Sequence, residues 1–119
     1  MGTVKEKPMA LDVRKLRDAL GVDPLNALFN KEIKGVFISD MVSDVMHGAP
    51  AGAVWVTVQT HKNIVAAANL VDVAAIIVTR DKAVPQETLD IANRAEITMF
   101  STAMESYELA VKLHEIGVT

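Results

Sequence analysis

Apolar and polar positions change their period several times along the chain, and each change marks an element. Val13, Leu16 and Leu20 recur at helical spacing, while Arg14, Lys15, Arg17 and Asp18 fall mostly on other faces. This predicts a helix over 11–20, with Gly21 suited to end it in the left-handed conformation. Residues 22–34 lack a clear period. Leu25-Asn26-Ala27-Leu28-Phe29 fits a short strand or a turn of helix, and Asn30-Lys31-Glu32 fits a turn. Gly35-Val36-Phe37-Ile38-Ser39 is a short apolar run rich in β-formers and predicts a strand.

From there one grammar repeats: an apolar strand ends in Ser, Thr or Asp, and a helix follows. Ser39-Asp40 is placed to cap a helix running to His47, with Met41, Val42, Val45 and Met46 as its apolar face and Gly48 as its end. A second strand spans 53–58. Thr60 is placed to cap a helix from His61 to about Leu70. The third strand spans 74–79. Pro85 suits the first turn of a helix that carries Leu89, Ala92 and Ala95. The fourth strand spans 97–100. Thr102-Ala103-Met104-Glu105 reads as a capping box for a last helix that bears Leu109, Leu113 and Ile116 and ends at Gly117.

Strands alternating with helices imply right-handed crossovers and a parallel sheet. Val73-Ala74-Ala75-Ile76-Ile77-Val78 is continuously apolar, as a strand covered on both faces should be. The expected fold is a single three-layer α/β domain, with a mostly parallel sheet of four to five strands and helices on both faces. Residues 1–9 read as a flexible lead-in and 10–119 as the domain.

Composition narrows the function classes. Of 119 residues, 50% are apolar but only 4% aromatic, so the core is aliphatic. A net charge of −3 argues against a phosphate-backbone surface and hence against nucleic acid as partner. No cysteine is present, which excludes disulfides, thiol nucleophiles and thiolate metal sites. No apolar run approaches the roughly 18 residues of a membrane span. The polar start, Met1 to Met9, lacks the apolar core of a signal peptide. A cytoplasmic location and no membrane contact are the expectations. The apolar surplus in the last helix and the Met-rich segments points to a homodimer.

In an open parallel sheet, ligands bind beyond the carboxyl ends of the strands. Ser39, Asp40, Thr57, Gln59, Thr60, His61, Asn63, Thr79, Arg80, Asp81, Ser101 and Thr102 fall there. Helix capping accounts for Ser39, Asp40, Thr60, Ser101 and Thr102 without any ligand. A cap at Thr60 still leaves Gln59, His61 and Asn63 over. The site expectation is therefore one polar pocket of Ser39, Asp40, Gln59, Thr60, His61 and Asn63, open to a small anionic or nucleotide ligand through side chains and helix N–H groups. Arg80-Asp81-Lys82 reads as a surface turn, and Trp55 as a core or interface residue. His47, His61 and His114 lack metal-ligand spacing, and Asp40 with Asp44 suits a helix amino end better than a cation. Neither GxxxxGK[ST] nor GxGxxG occurs, and no nucleophile elbow is present. No metal, cofactor or catalytic residue is expected.

Lys34 to Asp40, the run Val54-Trp55-Val56-Thr57-Val58-Gln59-Thr60-His61-Lys62-Asn63-Ile64-Val65-Ala66, the strand Ala74 to Val78, Pro85, Thr88 and the ending Leu113-His114-Glu115-Ile116-Gly117 together resemble the DRTGG domain family. The resemblance covers about Leu11 to Val118, and its most specific part is Trp55 to Asn63. The family's naming motif falls near Asn30 to Gly35, where only Gly35 matches. The resemblance implies a compact α/β domain similar to the amino-terminal domain of HPr kinase/phosphorylase. Such domains accompany phosphotransacetylases and CBS-containing pyrophosphatases as regulatory or structural modules. It implies no kinase activity, since the phosphate-binding loop of HPr kinase lies in its other domain. The expectation is a non-catalytic regulatory or ligand-sensing domain, its ligand a nucleotide or phosphate. The alternative is an accessory protein docking on a larger metabolic or hydrogenase-type redox enzyme, as stand-alone relatives suggest. A small transferase or hydrolase using His61 ranks last.

Overall fold

Four strands pair in chain order: β1 (Gly35–Ile38), β2 (Ala53–Thr57), β3 (Ala75–Val78) and β4 (Thr98–Ser101). Every neighbouring pair is parallel, and the register runs Phe37 beside Trp55, Trp55 beside Ile76 and Ile76 beside Met99. The computed structural model describes residues 11–118, so the lead-in expected over 1–9 lies outside the described residues. Among the described residues five helices accompany the sheet: α1 (Val13–Leu20), α2 (Val42–Gly48), α3 (Asn63–Val71), α4 (Gln86–Arg94) and α5 (Ser106–Glu115).

The layering follows from chain order. Each crossover steps to the next strand in the same direction. Right-handed connections therefore put α2, α3 and α4 on one face, leaving the other face to α1 and α5. The pleat divides the strand side chains accordingly. Trp55, Ile76, Val78 and Met99 pack with Val45, Ile64, Val65, Leu89 and Ala92. Val54, Val56, Ala75, Ile77 and Phe100 pack with Val13, Leu16, Leu109 and Leu113. Every residue of β2 and β3 is buried, so neither strand shows alternation in the sequence. The expected three-layer parallel fold is what forms, its sheet of four strands lying within the expected four to five.

The segment 22–34, open between strand and helix in the sequence, is neither. It runs along the outer edge of β4 and closes it. Leu25 N donates to Met99 O (2.8 Å), and Phe29 N donates to Thr98 Oγ1 (2.7 Å). The Asn26 amide accepts from Met99 N (2.7 Å) and donates to Ile97 O (2.8 Å). A side chain here takes the place of a fifth strand.

The helix starts differ from the expected caps. Asp12 caps α1, a cap for which the sequence reading named no residue: its Oδ1 accepts from Lys15 N at 2.9 Å. Gly21 ends α1 at φ +70°, with its N–H on Arg17 O, as expected. α2 begins after Met41 and α3 after Lys62, neither with a side-chain cap, so Ser39-Asp40 and Thr60 are not N-caps. Asp40 precedes α2 and does not share a helix face with Asp44. Gly48 is the last residue of α2 rather than the residue beyond it. Pro85 is the N-cap position of α4, one residue before its first turn. The box at α5 lies three residues later than expected. It consists of Glu105 and Glu108, with Glu105 N donating to Glu108 Oε1 at 3.3 Å. Thr102 instead accepts from Met104 N (3.2 Å) in the turn ahead of it. Ser39 and Thr102 have bonded the backbone N–H two residues on, and Asp40 has reached the loop after β2, instead of starting a helix.

Backbone and Asn30 hydrogen bonds hold the Asp12 carboxyl below the usual carboxylate range. A group depressed in this way contributes stability above its unfolded-state pKa and loses it as pH falls through its folded value. Asp12→Ala should cost about 1 kcal/mol at neutral pH. The difference from the parent should begin to shrink as pH falls below about 4 and go on shrinking through the lower folded value, as the parent loses a charge that the alanine chain never had. Urea unfolding at pH 7 and pH 3 checks this, and a constant difference at both would refute it.

Candidate functional site

The carboxyl edge of the sheet is ordered by two contacts that tie the β1–α2 turn to β2. The Trp55 indole N–H donates to Ser39 O at 2.8 Å from a fully buried ring. The Asp40 Oδ1 accepts from Thr57 Oγ1 (3.0 Å) and from Val58 N (2.8 Å). Asp40 thus holds the end of β2 and is committed to the fold. Ser39 Oγ accepts from Met41 N and donates to Asp44 Oδ2, both at 3.1 Å. Thr57 Oγ1 in turn accepts from Gln59 N (3.1 Å).

Beyond β2 the chain makes a tight turn into α3, with Gln59, His61, Lys62 and Asn63 all exposed. The His61 ring Nδ1 accepts from Asn63 N at 3.1 Å. That bond identifies Nδ1 as the unprotonated nitrogen of the neutral ring, so Nε2 carries the hydrogen and is the free donor. Ile64 N bonds His61 O and Val65 N bonds Lys62 O. The N–H groups expected to await an anion at this helix start are therefore already taken, and recognition falls to side chains. Thr60 contributes its carbonyl, which accepts from the buried Thr88 Oγ1 (2.9 Å) and fixes the turn to α4.

Lys62 is the site residue that the sequence reading passed over. Its Nζ lies 2.7 Å from Glu87 Oε1 and holds the Glu87 carboxyl below its ordinary range through that bond and its charge. The pair joins the first turns of α3 and α4, and Lys62 keeps two further N–H donors. Its place within the Gln59–Asn63 run was the available signal. Of the six expected site residues, Asp40 reaches the end of β2, Gln59 shares Thr57 with it, and His61 and Asn63 are joined to each other.

Outgoing connections from β1, β2 and β3 go to one face and that from β4 to the other, so the loops part between β3 and β4. This is where an open sheet normally forms its crevice. Here backbone closes it: Arg80 N donates to Met104 O (3.1 Å) and Asp81 N to Thr102 O (2.8 Å). Arg80 and Asp81 take φ of +65° and +55° to do so. Arg80 and Asp81 form the exposed turn that the sequence predicted, with Arg80 Nε 3.7 Å from Glu105 Oε1. Two cavities lie elsewhere. One is an open depression of about 570 Å³ between Phe37 and Ser43, Asp44, His47 and Gly48; the other, of about 210 Å³, is at the amino edge beside Lys31, Lys34 and Asp72. Among the described residues no three His, Asp or Glu side chains gather to hold a metal ion, and no helix is long and apolar enough to cross a membrane.

Neither a family model nor a curated protein matches the sequence. In fold, the chain is similar to the CBS and DRTGG domains of the regulatory region of Clostridium perfringens pyrophosphatase, a structure complexed with the activator diadenosine tetraphosphate. The TM-score is 0.68 at 17% sequence identity, over 87% of this chain. The chain spans 46% of that structure, about half of its length. What the two share is the fold: a four-stranded parallel α/β domain in this chain resembles part of a regulatory region.

Proposed function

We propose that this chain is a non-catalytic regulatory domain that senses a small anionic ligand of the nucleotide or phosphate class at the Gln59–Asn63 turn. The observation that carries the reading is the His61 ring. Its Nδ1 is committed to Asn63 N, which leaves Nε2–H over on an exposed residue, in a turn whose other exposed residues, Gln59, Lys62 and Asn63, also carry N–H donors. This is a donor-rich cluster on a turn anchored by Thr57 and Thr88, suited to phosphate oxygens. Likeness to a regulatory region that was complexed with a dinucleotide activator supports the same ligand class. Binding, rather than bond-making, is the chemistry that such a shallow, exposed set of donors serves.

His61→Asn tests the proposal without dismantling the turn. An asparagine oxygen can accept from the N–H two residues on, as the ring nitrogen does, but the imidazole donor is lost. Unfolding free energy should stay within about 0.5 kcal/mol of the parent. Affinity for whichever of phosphate, ADP, ATP or diadenosine tetraphosphate raises the melting temperature should fall about tenfold. A variant that binds as tightly as the parent, or a set in which none of these ligands shifts the melting curve, would sink the reading. A second reading then takes over, that of an accessory module docking on a larger enzyme. It is favoured by α5, where Tyr107 (81% exposed) and Val111 lie one turn apart on the outer face.

A further inference from the structure

The donor-rich turn at Gln59–Asn63 is bordered by a carboxylate. Glu87, on the first turn of α4, accepts from Lys62 Nζ at 2.7 Å through Oε1. Its place is fixed by the next residue of the helix, since the buried Thr88 Oγ1 donates to Thr60 O at 2.9 Å and pins α4 against the turn. Lys62 most strongly, and His61 to a smaller extent, hold the Glu87 carboxyl below its ordinary range, so both basic residues of the turn act on this one group. The other acid of α4, Asp90, accepts instead from the Gln86 amide at 2.8 Å. Lys62 and Glu87 are each more than half exposed. Among the described residues the one hydrogen bond of Glu87 ends on Oε1, which leaves Oε2 over as an acceptor.

We propose that Glu87 selects the ligand of this turn: it admits an oxyanion that brings its own O–H donor, a protonated phosphate or a nucleotide with its ribose hydroxyls, and turns away a fully ionised anion such as sulfate. The inference rests on the reading of Gln59–Asn63 as an anion site. Two oxygens bonded to one ammonium lie about 4.5 Å apart, because its N–H bonds are tetrahedral and each reaches an acceptor at about 2.8 Å. A ligand oxygen on a second N–H of Lys62 is therefore held about that far from Glu87 Oε1. Like charges at such a separation repel even in water. Sulfate has no hydrogen to offset the repulsion, and each of its oxygens meets the carboxylate as a second acceptor. A ligand O–H turns the same approach into a charge-assisted hydrogen bond, with Glu87 accepting while Lys62 and His61 donate to the remaining oxygens. Gln59 and Asn63 can turn either end of their amides to a ligand and so do not discriminate, whereas an ionised carboxylate only accepts.

NMR titration at neutral pH and constant ionic strength, followed at the backbone amides of residues 59–63, tests this. The parent should bind phosphate, which keeps at least one proton under these conditions, about tenfold more tightly than sulfate. Glu87→Gln preserves the size of the side chain and adds an N–H donor. It should bring sulfate to within about twofold of phosphate. Its melting temperature should stay near that of the parent, since an exposed ion pair contributes little. ADP against 2′,3′-dideoxy-ADP locates the donor. A preference for ADP that Glu87→Gln abolishes places it on the ribose, and equal binding alongside the preference for phosphate over sulfate places it on the phosphate. If His61→Asn weakens these anions but the parent binds sulfate as well as phosphate, or Glu87→Gln keeps the parent's preference, Glu87 selects nothing and this inference alone falls. If no anion moves the amides in either chain, the anion-site reading falls and takes the selection with it.

Discussion

Trp55→Ala should lower the unfolding free energy by about 3–5 kcal/mol, a large part of what holds a domain of this size folded. The side chain is fully buried at the middle of β2, between Phe37 on β1 and Ile76 on β3. The rest of the core on its face of the sheet is mostly aliphatic and already packed, so little of the space it leaves can be refilled. Its indole also carries the bond to Ser39 O that sets the β1–α2 turn. Trp55→Phe separates the two contributions: most of the apolar volume stays, and Ser39 O loses its donor. That variant should cost about 1–3 kcal/mol. Urea unfolding of both variants measures the difference. A phenylalanine variant as stable as the parent would show that the bond to Ser39 contributes nothing.

Asn26→Ala should cost about 2–3 kcal/mol, although Asn26 is a half-buried loop residue with little apolar surface. Its amide satisfies Met99 N and Ile97 O and donates to Asn93 Oδ1 (3.0 Å), so its removal leaves two backbone groups of the β4 edge unpaired. An opened edge is also a template for other chains. The variant should therefore lose solubility on warming before the parent does, which light scattering during a thermal ramp records. Asn26→Asp distinguishes the roles, because a carboxylate can accept from Met99 N but cannot donate to Ile97 O. It should fall between parent and alanine. Unchanged stability in Asn26→Ala would mean that residues 25–29 cover the edge through their backbone alone.

The parallel sheet with helices on both faces was legible because it depends on pattern, whereas the order of the strands came from the structure. Continuous apolar runs between helical stretches require buried parallel strands, and chain order with right-handed crossovers assigns the faces. The left-handed end of α1 at Gly21 was legible for a similar reason, since glycine reaches φ +70° without strain. Caps were less legible. Ser39 and Thr102 have the chemistry of an N-cap, but the same oxygens bond the backbone two residues on at nearly equal energy. The choice depends on where the strand before them stops. At the site, the Gln59–Asn63 run was legible as a dense polar turn. The commitment of Asp40 to Thr57 and Val58, across 17 and 18 residues of sequence, was not.

The sequence by itself determined the α/β class, the parallel sheet, the aliphatic core and the absence of thiol chemistry. Each of these follows from residue type and local period. Only the tertiary structure decided that Asn26 closes the β4 edge of the sheet, that the β3–β4 crevice is sealed by Arg80 and Asp81, and that His61 bonds the start of α3 through Nδ1. These are contacts between residues far apart in the chain, or choices between near-equal local hydrogen bonds. Long-range packing sets them, and no local pattern encodes it.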